Sequence, residues 1–172
     1  PSLQTTPAIA DEWIPRLLST TYDPRDIPID QKHGVTMGMF MTEKQGGSDV
    51  RANSTKATPV GLAEGIGAEY AINGHKFFSS APMCDAFLVL AYASGGLSCF
   101  LVPRWRPNGE RNGMYLQRLK DKLGNRSNAS SEVEFVDAYG VMVGDEGRGV
   151  RTVIDMVQHN RYYCTASSAG MM

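Results

Sequence analysis

Two apolar segments joined by a short glycine-containing turn constrain the fold of this chain more than any other feature. Residues 86–93 and 97–102 are almost wholly apolar, and Ser94-Gly95-Gly96 separates them. Apolar runs of this length, bounded by glycines, are typical of strands buried on both faces and are too short to cross a membrane. The sequence therefore predicts a hairpin at the centre of a β-barrel or β-sandwich.

Further short strands are predicted on both sides of this hairpin. Residues 68–72 and 75–78 flank Asn73-Gly74, a pair that favours a type I′ hairpin turn because both positions adopt positive φ. Closely spaced short strands with glycine turns predict a mainly β fold. Three more strands are expected at residues 35–41, 114–119 and 132–136.

A short helix is predicted near the N-terminus. Trp13 and Leu17 follow helical spacing after Asp11. Pro15 is compatible with this helix only in or near its first turn. The next segment, residues 22–30, contains two prolines and is predicted to be an irregular linker.

A longer helix is predicted from about Arg148. Arg161 lies on its apolar stripe, where an arginine side chain is unfavourable unless it is paired. We therefore expect Arg161 to form a buried ion pair or to contact a ligand. The other residues of the stripe are Val150, Val153, Ile154, Val157 and Cys164.

Charge and cysteine content exclude several functions. Seventeen basic and eighteen acidic residues give a formal net charge of -1, and no basic block indicates a nucleic-acid-binding module. The three cysteines and three histidines lack the spacing of a metal site, and the cysteines imply no disulfide framework. Without a long apolar run or a secretory signal pattern, we expect an intracellular protein, in the cytoplasm, with the mitochondrion and the peroxisome as alternatives.

The segment from residue 39 to residue 49 contains a candidate binding loop. Gly46 and Gly47 let main-chain N–H groups approach a ligand, and Ser48 adds a hydroxyl donor suited to a phosphate oxygen. The alternative is an ordinary glycine-rich turn in which Ser48 and Asp49 bond their own backbone. The pattern alone favours this alternative.

A second candidate is the aromatic pair Phe77-Phe78, which Ser79 and Ser80 follow. Such residues at a strand end can stack on a planar ring and hydrogen-bond its heteroatoms. An inward-facing phenylalanine of a barrel, with a turn before Pro82, is the simpler interpretation from the pattern alone. The polar loop at residues 122–130 is predicted to be a solvated connection.

Taken together and in order, these segments resemble the acyl-CoA dehydrogenase family. Met41-Thr42-Glu43 with Gly47-Ser48-Asp49 is similar to the family signature Thr-Glu-Pro-x-x-Gly-Ser-Asp. Lys44-Gln45-Gly46, in place of the proline-containing form, resembles the AidB-like, alkylation-response branch. The remaining matches are Ile72-Asn73-Gly74-x-Lys76, Phe78-x-Ser80, Lys122-Leu123-Gly124-x-Arg126, Glu132-Val133-x-Phe135-x-Asp137 and Gly144-x-Glu146-Gly147-x-Gly149.

The resemblance implies a mainly β fold with flanking helices: the family's middle-domain β-barrel between helical segments of a longer α+β chain. It divides the chain into an N-terminal helix and linker over residues 1–33, a flavin- and substrate-binding barrel over residues 34–146, and the start of a helical domain over residues 147–172. We also expect the full-length protein to form a homo-oligomer.

The resemblance further implies FAD as cofactor and an acyl-CoA thioester as substrate, oxidised between its α and β carbons by hydride transfer to FAD. Phe78 replaces the tryptophan usual at the flavin-covering position. Asn160 stands where some members carry the catalytic glutamate, so no catalytic residue is assigned in this chain. Ser48 and Arg161 are the residues implied to bind substrate. Those implied to bind FAD are Met39, Phe40, Met41, Thr42, Gly47, Ser48, Phe78, Ser79 and Ser80.

A second hypothesis is a non-catalytic flavin-binding protein associated with DNA protection, as the alkylation-response branch implies. The net charge of -1 does not support DNA contact by this segment. A glutamate facing the flavin elsewhere in the full-length protein would support the first hypothesis, and a basic surface there would support the second.

Overall fold

The computed structural model describes residues 2–172 and shows a mainly β chain with a helix towards each end. This architecture confirms the expected fold class, a β-barrel flanked by helical segments. The elements are α1 (Pro7–Leu17), β1 (Met37–Phe40), β2 (Lys56–Pro59), β3 (Glu69–Ser80), β4 (Ala86–Ala93), β5 (Gly96–Pro103), β6 (Met114–Leu119), β7 (Ser130–Val143) and α2 (Gly149–Met171).

Hydrogen bonds close five of these strands into a barrel. β4 pairs with β5, β5 with β7, β7 with β3 and β3 with β2. A single parallel pairing of Lys56 with Tyr92 returns β2 to β4 and completes the ring. β1 lies parallel to the first half of β4, and β6 pairs with β7. Among these strands, β1 and β6 are therefore each paired with one strand only, and β1 also contacts β3.

The hairpin of β4 and β5 lies at the centre of the fold, as its two apolar runs predict. Ala93 pairs with Gly96, which leaves a two-residue turn between them. Gly95 in this turn donates its N–H to Glu146 Oε1 at 2.7 Å. Alternate residues face the barrel interior and the flanking helices, so both faces of the hairpin are buried. The interior includes Phe40, Tyr70, Phe87, Phe100, Phe135 and Met142.

The Asn73-Gly74 pair is not a hairpin turn, and that prediction is wrong. β3 continues through both residues, and Gly74 has a φ of +145°. An added Cβ at Gly74 would lie 2.6 Å from Thr55 Oγ1, so this crowded position requires glycine. Asn73 donates Nδ2 to Asp137 Oδ1 at 2.8 Å and accepts the Asp137 N–H at 2.9 Å. The pair thus supports a bulge in β7, where the φ of Asp137 is +46°.

α1 begins earlier than the sequence predicts. It starts at Pro7, a residue well suited to the first helical position, so Pro15 lies towards the C-terminal end of the helix rather than in its first turn. Trp13 is buried and packs with neighbouring apolar residues over the outer face of β4 and β5. Lys32 Nζ bonds Asp85 Oδ1 at 2.5 Å, and both side chains are largely buried. The N-terminal segment is therefore tied to the barrel.

α2 begins at Gly149, close to the predicted position, but most of its apolar stripe is not buried. Val153 is 1% exposed, whereas Val150 is 41% exposed and residues 158–172 are all exposed. Arg161 is exposed and forms no ion pair with any of residues 2–172, so the expected buried ion pair is absent. The reason is that only the first turns of α2 pack on the barrel. Among residues 2–172, no helix is long and apolar enough to span a lipid bilayer.

Candidate functional site

The end of β1 and the second half of β3 form the candidate site, and a main-chain hydrogen bond joins them. Phe77 donates its N–H to the Thr42 carbonyl oxygen at 2.9 Å. Phe40 faces inward and stacks on a β4 phenylalanine, with ring centroids 4.2 Å apart. Strand alternation then turns the half-buried side chains of Met39 and Met41 to the outer face of the barrel. Two segments that are distant in sequence therefore meet on one outer face.

A bulge in β3 exposes the aromatic pair. Between Lys76 and Ser79, β3 contains one residue more than the segment of β7 that it pairs with. This extra residue breaks the strand alternation, so Phe77 is half-buried and its neighbour Phe78 is 47% exposed. The ammonium group of Lys120 lies 3.0 Å from the Phe77 ring centroid and 5.6 Å from that of Phe78. The ammonium group therefore lies over both rings and closer to Phe77, and the exposed part of the Phe78 ring is open to a ligand.

Glu43 is the centre of a buried polar cluster that holds the loop after β1. The Glu43 and Lys76 side chains are both fully buried, and Lys76 Nζ lies 2.9 Å from Glu43 Oε1. Oε1 also accepts the N–H and hydroxyl of Thr55, whereas Oε2 accepts the N–H and hydroxyl of Ser54 and the side-chain amide of Gln45. Each carboxylate oxygen is thus surrounded by donors, an arrangement that an ionised carboxylate satisfies.

These contacts shift the pKa of both charged groups. Burial alone would raise the pKa of Glu43, but the hydrogen bond from Thr55 and the charge of Lys76 hold this pKa well below its usual range. Burial lowers the pKa of Lys76 to about 8, with Glu43 acting in the opposite direction. The pair is therefore charged at neutral pH. The glutamate of the signature has a structural role, because its oxygens are occupied by the loop that it holds.

The loop from Gly46 to Asp49 combines a local cap with unused donors. Asp49 Oδ1 accepts the N–H of Arg51 at 3.0 Å and caps a short 3-10 helix at Val50–Ala52. Gly47 and Ser48 are exposed, and their main-chain N–H groups make no hydrogen bond within residues 2–172. The alternative of a turn closed by its own side chains therefore applies to Asp49. Gly47 and Ser48 keep donors that can bind an anion.

Hydroxyl groups lie along the same two segments. Thr42 is half-buried, and its hydroxyl makes no hydrogen bond to any residue that the structure describes. Ser79 Oγ is buried without a partner in the same part of the chain. Ser80 Oγ lies 2.9 Å from Ser130 Oγ. The open ring of Phe78 and the hydroxyl groups of Thr42 and Ser80 suit a flat conjugated ligand that carries heteroatoms, so these residues fit a flavin.

The structure brings some of the predicted site residues together and leaves others apart. Thr42 meets Phe77 through its main chain, whereas the side chains of Met39 and Met41 pack against the apolar cluster between α1 and the barrel. The Phe40 ring belongs to the barrel core, so only its main chain is available to a ligand. Asn160 and Arg161 lie on the exposed part of α2, away from the turns that pack on the barrel. Their roles, like the other assignments of site residues, stay predictions.

Sequence reasoning missed the pairing of Glu43 with Lys76. The signal was present, because Glu43 lies inside the signature and Lys76 falls on the same alternate positions of β3 as the buried Tyr70 and Ile72. A charged residue at an inward position of a strand requires a partner of opposite charge.

A cavity of about 590 Å³ lies elsewhere, between α1, the linker and the outer side of the barrel. Trp13, Trp105 and Tyr139 line it, and none of the predicted site residues does. Its walls are largely apolar and aromatic. The size of a cavity therefore does not indicate the candidate site, which is an open surface within residues 2–172.

Comparison with known proteins identifies related sequences. A model of the acyl-CoA dehydrogenase middle domain matches residues 38–138. The chain is 52% identical to AidB of Escherichia coli over an alignment of 170 residues. This alignment covers 99% of this chain and 30% of AidB.

Solved structures share the fold. Caenorhabditis elegans ACDH-11, crystallised in complex with C11-CoA, superposes with a TM-score of 0.63 and 36% identity, covering 72% of this chain and 22% of that protein. An acyl-CoA dehydrogenase from Geobacillus kaustophilus gives a TM-score of 0.61 and 26% identity, covering 74% of this chain and 33% of that protein. The chain therefore spans about a third or less of the length of these relatives.

Proposed function

Because the chain belongs to the acyl-CoA dehydrogenase family, whose members bind FAD, we propose that its barrel binds FAD on the outer face formed by β1 and β3. The observation that carries this proposal is the 2.9 Å hydrogen bond between Phe77 and Thr42, which joins the two candidate segments. Phe78 would stack on the flavin ring, and the Thr42 and Ser80 hydroxyls would bond its heteroatoms. The free N–H groups of the Gly47-Ser48 loop would bind phosphate oxygens.

The proposed substrate class is an acyl-CoA thioester, oxidised between its α and β carbons. FAD supplies the capacity to accept a hydride when it is bound. Ser48 and Arg161 are the residues of this chain that we propose contact the substrate. The side chain of Asn160 cannot accept the α-proton as a carboxylate does, so the proposed base lies outside these 172 residues. The role of this chain is then to hold and orient the reacting groups.

FAD uptake by the full-length protein tests the cofactor. The protein is mixed with FAD, free flavin is removed, and the visible spectrum and dissociation constant are measured. Phe78→Ala should weaken binding roughly three- to tenfold, because an aromatic stack contributes about 0.5–1.5 kcal/mol beyond its buried area. Phe78→Trp should retain binding. Tyr22→Ala, which removes a ring that is 71% exposed in the linker, is the matched control. A full-length protein that stays colourless contradicts the proposal.

Anaerobic addition of acyl-CoA thioesters of increasing chain length tests the reaction. Bleaching of the bound flavin's visible absorption supports the dehydrogenase. The second candidate is a flavin-binding protein without dehydrogenase activity; Asn160 is compatible with both candidates, because the base of an active dehydrogenase would lie outside these 172 residues. Retention of FAD without bleaching by any of the thioesters would support the second candidate.

A further inference from the structure

A hydrogen-bonded chain of three side chains lies behind the candidate site. Lys122 Nζ lies 3.1 Å from Ser130 Oγ, which lies 2.9 Å from Ser80 Oγ. Ser80 and Ser130 also pair across β3 and β7. Lys122 belongs to the loop that the sequence predicts to be solvated, but its side chain is half-buried, so that prediction is wrong for Lys122. Lys122 folds back onto Ser130, the first residue of β7.

The donors and acceptors of these three side chains fix the direction in which each hydrogen bond is donated. The Lys122 ammonium group has three donors and no acceptor, and it donates to the Asn128 carbonyl oxygen and to Ser130 Oγ. Ser130 is 2% exposed, and within residues 2–172 the acceptor in reach of its own proton is Ser80 Oγ. A buried hydroxyl proton without an acceptor costs about 1–3 kcal/mol. Ser130 therefore donates to Ser80.

The direction of the Ser80 proton follows from this order. Ser80 Oγ accepts from Ser130, and its own proton has no other acceptor among the residues that the structure describes. Ser80 is half-buried next to the exposed Phe78, so its proton is free to point to the open face. Each donor in the chain also polarises the next, starting from a positive charge.

We propose that Lys122 is a positioning residue, which acts through Ser130 to make the Ser80 hydroxyl an outward donor towards the flavin. This inference rests on the proposed FAD site. A donor polarised by a cation favours a ligand that gains negative charge, so it stabilises the reduced flavin more than the oxidised flavin. Without Lys122, Ser130 can turn and accept the Ser80 proton, and the donor to the ligand is lost.

The test measures the reduction potential of FAD bound to the full-length protein and, separately, the dissociation constant of oxidised FAD. Lys122→Met should bind oxidised FAD within about threefold of wild type. Its preference for reduced over oxidised flavin should fall about tenfold compared with wild type. This change lowers the reduction potential of the bound flavin by about 30 mV for a two-electron couple. Ser130→Ala, which leaves Lys122 in place, should also lower the reduction potential. Lys56→Met, which removes an exposed lysine from β2, should leave the potential unchanged.

We call the hydrogen bonds from Lys122 through Ser130 to Ser80 the relay. A double-mutant cycle separates the effect of the relay on the reduction potential from a direct effect of the Lys122 charge. In the Ser80→Ala background the relay has no end group, so adding Lys122→Met should not change the potential further. Lys122→Arg keeps a cationic donor and should restore most of the wild-type potential. A fall that persists undiminished in the Ser80→Ala background overturns the relay.

The failure of this inference differs from the failure of the proposed function. A full-length wild-type protein that takes up no FAD contradicts the proposed function and the relay with it. FAD uptake with the same potential in wild type, Lys122→Met and Ser130→Ala overturns the relay alone.

Discussion

The donor cluster around Glu43 gives a prediction whose size follows from the structure. Replacement of Glu43 by Gln keeps the shape of the side chain but puts an amide NH2 group at one oxygen position. At Oε2, that group would meet the Ser54 N–H at 2.7 Å and the Gln45 amide at 2.7 Å. Lys76 would keep a fully buried ammonium group without a countercharge. Removal of one partner from a buried ion pair costs about 3–5 kcal/mol, so we expect Glu43→Gln to lower the free energy of unfolding by that amount.

Urea denaturation of the purified chain, followed by circular dichroism and tryptophan fluorescence, measures this change. Glu134→Gln is the matched control, because Glu134 is an exposed carboxylate that accepts from Gln117 at 3.0 Å. The control should change the free energy of unfolding by less than about 0.5 kcal/mol. Glu43→Gln combined with Lys76→Met removes both charges and should be less destabilised than the sum of the single variants. If Glu43→Gln unfolds within about 0.5 kcal/mol of wild type, the buried carboxylate does not hold the loop and the reasoning is refuted.

Three further predictions concern the rest of the chain. Gly74→Ala should lower the free energy of unfolding by about 1–3 kcal/mol in the same assay, because the new Cβ would lie 2.6 Å from Thr55 Oγ1. An unchanged urea midpoint would contradict the close packing at Gly74. The pKa of Glu43 is lowered in the folded chain, so Glu43 of the unfolded chain takes up a proton first as the pH falls. The contribution of ionised Glu43 to the free energy of unfolding is therefore present above the ordinary pKa of 4.5 and is lost as the pH falls below it. Urea titrations from about pH 6 to pH 3 should show this loss in wild type and a smaller one in Glu43→Gln. Cys164 is exposed, whereas Cys84 and Cys99 are buried, and burial raises the pKa of the Cys99 thiol to about 12. One thiol of the three should therefore react rapidly with a thiol reagent in the folded chain. Rapid reaction of all three thiols would contradict the packing.

The central part of the fold could be predicted because its signal is local. Uninterrupted apolar runs define β4 and β5, and the alternation of Val133 and Phe135 with acidic residues marks a half-buried strand. β2 was not predicted, because Lys56–Pro59 is short and polar at its start and is a strand only through its pairing with β3. Asn73-Gly74 carries the same local preference for a turn as for a bulge, and the contact with Thr55 decides between them.

The site was predictable as two segments but not as one surface. The motifs indicate which residues belong to it, whereas the hydrogen bond between Phe77 and Thr42 is a long-range contact that no local pattern contains. The bulge that exposes Phe78 depends on the register with β7, which the sequence does not state. The burial of the α2 stripe also depends on long-range packing, which the spacing of its apolar residues does not contain: Val150 and Arg161 are exposed within residues 2–172.

Hydrogen exchange of main-chain amides in the full-length protein, with and without FAD, tests the proposed site most directly. Bound FAD should slow exchange in peptides that cover residues 39–48 and 77–80. Exchange should stay unchanged in peptides that cover Trp13 and Trp105, which line the cavity on another part of the barrel. Slower exchange around that cavity, with no change at residues 39–48 and 77–80, would contradict the assignment of the flavin to this face.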